Sequence, residues 1–303
     1  MLLEGIFAAA TTPFYPDERL YLRKLEANVA HYSRSLLAGI LILGSTGEAP
    51  SLSEEESRDV LRTAANAAAA DKVLIAGVGR DSVSSTVALA EVAAESMYDV
   101  VLVRTPTYYA TQMTESAVLN YFRAVADRSP LPVLLYNIPR CVPYDIPVPI
   151  ITELAHHPNI IGIKDSSGNM DRMCATLNAV KSTPKRSVTV TPVFEAVTAR
   201  MLRPVAQNVE PATFVSAETL GSGISIASAP PVPALRTREK EVGFQVLTGS
   251  ASIVFDALQA GASGGILGFA ACTPQACTEV YLAWKDHDLV LAREKQERVR
   301  KPN

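Results

Sequence analysis

The sequence predicts an α/β protein whose parallel strands alternate with helices and close into a TIM (β/α)8 barrel. Three observations predict it. Short runs of Val, Ile and Leu recur along the chain. They are continuous rather than alternating, as in strands buried on both faces. Their starts, near residues 6, 40, 73, 100, 133 and 160, are spaced by about 30 residues, the length of one βα unit.

The runs are Ile6–Ala10, Ile40–Leu43, Val73–Ala76, Val100–Val103, Val133–Tyr136 and Ile160–Lys164. Helical patterns lie between them, with apolar residues at i, i+3, i+4 and i+7. Val60, Leu61, Ala64, Ala65 and Ala68 hold one face; Val83, Val87, Ala90 and Ala94 a second. Val118, Tyr121, Phe122 and Val125 hold a third, and Met170, Met173, Leu177 and Val180 a fourth. Ser53 followed by Glu56 forms a capping box that opens the second helix. Phe244–Thr248 and Gly264–Leu267 supply the seventh and eighth strands. A doubly wound sheet is the alternative, but Gly77-Val78-Gly79 lacks the third glycine of a dinucleotide fingerprint.

One stretch breaks the rhythm. Residues 184–238 show no sustained period and are dominated by Pro, Ser, Thr, Ala and Val. Three readings compete: a disordered insertion, translated non-coding sequence, or a folded subdomain. The barrel is expected over 1–272, interrupted by this irregular insertion between helix 6 and strand 7. A chain entering between a helix and the next strand leaves at the bottom of a barrel, away from its chemistry. Residues 273–303 are expected to form a short helical extension, with helices at Pro274–Trp284 and Asp288–Arg300.

Composition removes several functions. Apolar residues at 48% and charged residues at 19% place the chain among folded globules rather than disordered chains. A formal charge of −3 offers no field for a phosphate backbone, which argues against nucleic acid. The longest apolar run, Leu36 to Leu43, is far short of the roughly 18 residues of a membrane span. Cys141, Cys174, Cys272 and Cys277 make no CxxC pair, and His31, His156, His157 and His287 show no HxH or HExxH spacing. Neither a disulfide framework nor a metal site is expected. Met1 to Thr12 carries no leader pattern, so a cytoplasmic location is expected.

In a barrel of this kind the chemistry lies where the strands end. Lys164 follows Ile160-Ile161-Gly162-Ile163 and is fed from an apolar strand into the barrel mouth. A desolvated ammonium loses proton affinity, and the free amine attacks carbonyls. The alternative is a strand-end lysine that snorkels to water. Tyr136 ends the neighbouring strand, close enough to shuttle protons, or else is a core tyrosine with a satisfied hydroxyl. Ser45 and Thr46 offer hydroxyls and turn amides for a carboxylate, or else serve the turn before a capped helix. Tyr108 and Tyr109 read most simply as packing residues. With no Ser-His-Asp set, metal cluster or P-loop in the inventory, lysine, tyrosine and hydroxyls point to Schiff-base chemistry.

Three segments resemble motifs of the dihydrodipicolinate synthase / N-acetylneuraminate lyase superfamily. They are Gly44-Ser45-Thr46-Gly47-Glu48, Tyr136-Asn137-Ile138-Pro139 and Gly162-Ile163-Lys164-Asp165-Ser166-Ser167-Gly168. The resemblance runs from about Gly5 to Thr183 and resumes near Phe244. It implies that Lys164 is the Schiff-base lysine, Tyr136 the proton shuttle and Ser45 its relay. It implies Thr46, Gly47, Ser250 and Ile266 as substrate-binding residues, and Tyr108 as the tyrosine that reaches a neighbouring subunit's site. It further implies a homo-oligomer, tetramer or dimer, acting on a small 2-oxo acid with no metal or organic cofactor.

Within the superfamily, dihydrodipicolinate synthases carry an arginine two residues after the proline of the Tyr-Asn-x-Pro motif. Here Arg140 follows Pro139 directly and Cys141 takes that place. By contrast, Val125 to Val133, His157 to Gly162 and Gln245 to Ala251 resemble eukaryotic 4-hydroxy-2-oxoglutarate aldolases. The expected activity is a class I lyase that cleaves 4-hydroxy-2-oxoglutarate to pyruvate and glyoxylate. The alternatives are 4-hydroxy-tetrahydrodipicolinate synthesis, cleavage of a 2-keto-3-deoxy sugar acid, or a barrel without turnover. The aldolase relatives of animals are mitochondrial, which is the expected compartment if further residues precede Met1.

Overall fold

The computed structural model describes residues 1–202 and 235–300. Strands β1 (Gly5–Ala9), β2 (Gly39–Ile42), β3 (Val73–Gly77), β4 (Val100–Arg104), β5 (Val133–Asn137) and β6 (Ile160–Asp165) follow the apolar runs. Two more, β7 (Arg186–Val190) and β8 (Arg238–Val242), lie outside the barrel, and β9 (Gln245–Thr248) and β10 (Gly264–Leu267) complete it. The closed ring runs β1-β10-β9-β6-β5-β4-β3-β2, and every pair is parallel. This is the (β/α)8 barrel the sequence predicts.

Barrel strands are buried on both faces because they separate two apolar layers. Phe7, Leu41, Ile75, Leu102, Leu134 and Leu247 fill the interior. Their chain neighbours Ile6, Ile40, Leu74, Val101, Leu135 and Val246 face the helices. Each such side chain contributes roughly 1.5–3 kcal/mol on burial. The outer layer is built by α1 (Leu22–Ser33), α2 (Glu54–Ala67), α3 (Val83–Glu95), α4 (Glu115–Ala126), α5 (Val148–Leu154), α6 (Met170–Ala179) and α7 (Val254–Ala260). The expected box at Ser53 forms: its Oγ accepts the Glu56 amide at 3.2 Å and the Glu56 carboxylate accepts the Ser53 amide at 2.9 Å. The layer is completed by α8 (Pro274–Lys285), which follows β10 and packs on α7 and β1, and α9 (Leu289–Arg300) packs on α8; both fall in the stretch 273–303 expected to be helical.

One irregularity sets the face that Lys164 presents. Val133 of β5 pairs with Ile160, but Leu134 pairs with Gly162, so Ile161 is an extra residue in β6. Such a bulge shifts the in-out alternation by one. Ile160 and Ile163 both face the helix layer, and Lys164 then turns inward opposite Tyr136. Gly162 fits this turn because a Cβ there would lie 2.2 Å from the Gln245 carbonyl oxygen.

Regular structure frames the stretch that showed no periodicity. β7 and β8 pair antiparallel, from Arg186 opposite Val242 to Val190 opposite Arg238. The expected irregular insertion at 184–238 therefore has a strand near each end, while residues 203–234 lie outside the described residues. The strand pair sits at the barrel bottom, where Val188 and Val190 pack on Leu2. Arg186 Nη2 donates to the carbonyls of Ala155, His157 and Ile160, where β6 begins. Thr198 donates to the Ala70 carbonyl and Arg200 to that of Lys72, just before β3. Arg200 also lies 3.6 Å from the fully buried Asp99 carboxylate, which accepts the Ala199 amide at 3.1 Å.

Candidate active site

Register and pleat bring the sequence-predicted residues together at the mouth. Tyr136 and Lys164 occupy paired positions on neighbouring strands. Lys164 is 3% exposed and Tyr136 5% exposed, so neither snorkels to water. The Lys164 Nζ stands over the Tyr136 ring, 4.2 Å from its centroid, in cation–π geometry. The Tyr136 hydroxyl lies 3.3 Å from Ser45 Oγ. Amine, phenol and serine hydroxyl thus form one connected line across three strands.

Ser45 reaches that line because β2 ends abruptly. Leu43 takes a left-handed conformation at φ 58°, unusual for a bulky side chain. The bend brings its carbonyl against β3, where Gly77 alone fits: a Cβ there would lie 2.0 Å from the Leu43 oxygen. A short helical turn over Ser45–Gly47 follows. Thr12, at the end of β1, donates its buried hydroxyl to the Gly47 carbonyl at 2.6 Å. Thr46 packs toward β10, since a Cβ on Gly268 would lie 3.0 Å from Thr46 Oγ1. Sequence reasoning named Ser45, Thr46 and Gly47 and left Thr12 without a role; it missed Leu43, Gly77 and Gly268. Their signal is backbone conformation and close approach, which residue type alone does not announce; Thr12, a polar residue after a strand, was the one with a readable cue.

The remaining candidates are spread more widely. Ser250 follows β9; its Oγ lies 2.9 Å from that of Ser252, and a Cβ on Gly168 would lie 3.7 Å away. Ile266 is completely buried among the interior residues of the barrel. Tyr108 stands apart at 79% exposed, with its ring edge-on to Tyr109 at 4.8 Å between centroids. Its loop is held by Asp81, which accepts the Thr107 amide at 2.6 Å. Burial pushes the Asp81 carboxyl up, but the Thr107 amide, Arg104 and the Thr107 hydroxyl outweigh it and hold the group below its usual range. A cavity of about 380 Å³ opens beside Ser45 and Tyr136 toward Arg80, Asp81 and Arg104. Both arginines there are neutralised, Arg80 by Glu54 at 2.8 Å and Arg104 by Asp81 at 3.2 Å. Among the described residues no group of three or more His, Cys, Asp or Glu side chains could hold a metal ion. No helix among them is long and apolar enough to cross a membrane.

A model of the dihydrodipicolinate synthetase family matches residues 2–200. The chain belongs to this family. Among curated relatives, a probable mitochondrial 4-hydroxy-2-oxoglutarate aldolase of Emericella nidulans is 37% identical over 179 residues, 57% of this chain and 57% of the relative. A 4-hydroxy-tetrahydrodipicolinate synthase of Xanthomonas axonopodis is also 37% identical, over 175 residues, 58% of this chain and 57% of the relative. The chain thus spans little more than half the length of the curated relatives it matches. Among solved structures, the 4-hydroxy-tetrahydrodipicolinate synthase of Methylacidiphilum fumariolicum superposes with a TM-score of 0.75 at 22% identity, covering 98% of this chain and 79% of that one. A prophage protein of the same family from E. coli, solved in complex with pyruvate, gives 0.76 at 23%, covering 99% of this chain and 81% of that one. At these identities the structural likeness is one of fold. The family match includes all three motifs that carry Ser45, Tyr136 and Lys164.

Proposed function

We propose that this member of the family is a class I lyase that cleaves 4-hydroxy-2-oxoglutarate to pyruvate and glyoxylate. The observation that carries the reading is the line of Lys164, Tyr136 and Ser45 at the carboxyl ends of the barrel strands. The Lys164 amine attacks the keto carbon of the 2-oxo acid, and loss of water from the carbinolamine leaves a protonated imine. That imine accepts the electron pair of the C3–C4 bond as it breaks. Tyr136 takes the proton of the C4 hydroxyl, so that carbon leaves as the aldehyde of glyoxylate, and Ser45 relays the proton onward. Protonation of the enamine at C3 and hydrolysis release pyruvate and restore Lys164. Thr46, Gly47, Ser250 and Ile266 are assigned to substrate binding within this proposal. The exposed Tyr108 and Tyr109 rings support a homo-oligomer in which Tyr108 reaches a second copy.

Two observations favour glyoxylate over aspartate semialdehyde as the aldehyde partner. Cys141 stands where dihydrodipicolinate synthases carry an arginine, and it is exposed together with Arg140. The Emericella relative also carries the aldolase name. The second reading, condensation of pyruvate with aspartate semialdehyde, is favoured by the Xanthomonas relative at equal identity. Borohydride reduction in the presence of pyruvate tests the shared step. The expected result is a stable adduct on Lys164, seen by intact mass and peptide mapping and absent from Lys164→Ala. A folded protein without adduct would overturn the enzyme reading and leave a barrel without turnover. With the adduct in hand, glyoxylate release measured against consumption of aspartate semialdehyde separates the two substrates.

A further inference from the structure

Each of the two strand-end residues is followed by a buried polar residue that points the other way. Asn137 follows Tyr136 and Asp165 follows Lys164, at 1% and 2% exposure. Behind the mouth these outward side chains form a single knot. Asp165 Oδ2 accepts Arg172 Nε at 2.8 Å, and Asp165 Oδ1 accepts the Ser167 amide at 2.8 Å. Arg172 also donates Nη2 to the Ile146 carbonyl. Asn137 Nδ2 donates to Asp145 at 2.6 Å, and its Oδ1 accepts the Ile146 amide at 3.0 Å. The main chain joins in: the Asp165 carbonyl accepts the Gly249 amide at 2.6 Å, and the Asn137 carbonyl accepts that of Ser166 at 2.9 Å.

We propose that Asp165, held by Arg172, is a positioning residue for imine formation. This rests on the Schiff-base reading of Lys164. The ladder ends at Asn137 and Asp165, whose carbonyls accept its last amides, so side-chain ties add to the backbone bonds in holding these ends in place. Arg172 presents a planar fork whose two arms reach different elements, the end of β6 and the segment before α5. Because α6 starts at Met170, the same arginine anchors that helix's first turn to the strand. The knot fixes the ends of β5, β6 and β9 together. Through the backbone it holds Lys164 Nζ over the Tyr136 ring, where the amine meets the keto carbon. Asp165 itself faces the helix layer and touches no substrate.

The test compares the rate of pyruvate adduct formation under borohydride with the melting temperature, in the parent and a set of variants. At saturating pyruvate, Asp165→Asn and Arg172→Gln are expected to slow adduct formation by about 100-fold, the loss typical of an ångström-scale misplacement. The half-saturating pyruvate concentration stays near the parent value, because the hydroxyls assigned to the carboxylate lie on the β2 loop. Arg172→Lys, which keeps the charge and loses the fork, recovers part of the rate. Asp99→Asn, a buried carboxylate change at the opposite end of the barrel, lowers the melting temperature and leaves the rate alone. Parent-like rates in Asp165→Asn and Arg172→Gln would overturn the proposal, and so would an equal loss in Asp99→Asn. Should Asp165→Asn not fold, Arg172→Gln decides, since a parent-like rate there is equally fatal. A parent that forms no adduct overturns the Schiff-base reading itself, which separates that failure from a failure of the positioning role.

Discussion

The phenol of Tyr136 meets both of its partners through different parts: the ring lies under Lys164 and the hydroxyl beside Ser45. Tyr136→Phe therefore separates two contributions. The ring, and with it the packing of Lys164, survives, so the pyruvate adduct still forms. Proton transfer is lost, and glyoxylate release is expected to fall by roughly 10²–10⁴, the usual share of a positioned acid–base. Ser45→Ala is expected to fall less, since water can replace a relay hydroxyl, and steady-state release at saturating substrate ranks the two. Lys164 and Tyr136 were legible in the sequence because a polar residue closing an apolar run is conspicuous. Leu43 was not, since it acts through a left-handed bend, and Thr12 showed only as a polar residue after a strand, its role resting on one hydrogen bond to a main-chain carbonyl.

Among the elements, the barrel strands were legible because burial on both faces leaves a continuous apolar run. Short helices such as α5 and α7 span too little chain to display a period. Counting alternation from Ile160 places Lys164 on the helix side; the bulge at Ile161, a matter of pairing with β5, reverses that. β8 reads Arg-Glu-Lys-Glu-Val and carries no strand signal. It forms against β7, where Ser187 and Thr189 donate to Glu239, so cross-strand bonds take the place of burial. The segment after β7 has a pH signature of its own. Burial pushes the Asp99 carboxyl above its ordinary value of 3.8, against the Leu74 amide, Arg200 and the Ala199 amide. The folded protein thus holds this proton more tightly than the unfolded chain. The stability it contributes is full below the ordinary carboxylate range and is lost as the pH rises through the elevated value. Asp99→Asn is expected to flatten that fall, read as melting temperature against pH from about 4 upward.

At the scale of the whole molecule, the candidate site and the β7–β8 pair occupy opposite ends of the barrel. Replacing Thr191 to Thr237 by a two-residue turn is expected to preserve pyruvate adduct formation. It removes Arg200 from Asp99, which leaves a buried carboxylate without its cation and destabilises the fold by about 3–5 kcal/mol. Adding Asp99→Asn to the shortened chain is expected to restore part of the loss, as thermal unfolding will report. The pairing of Val190 with Arg238 has one more consequence. Whatever chain is hung between these two residues begins and finishes about 5 Å apart, one strand spacing. Closure entropy grows only with the logarithm of length, by about 0.6 kcal/mol per doubling. The stem therefore works as a socket: a foreign domain whose termini lie close together could be spliced into it, and the barrel would scarcely register its size.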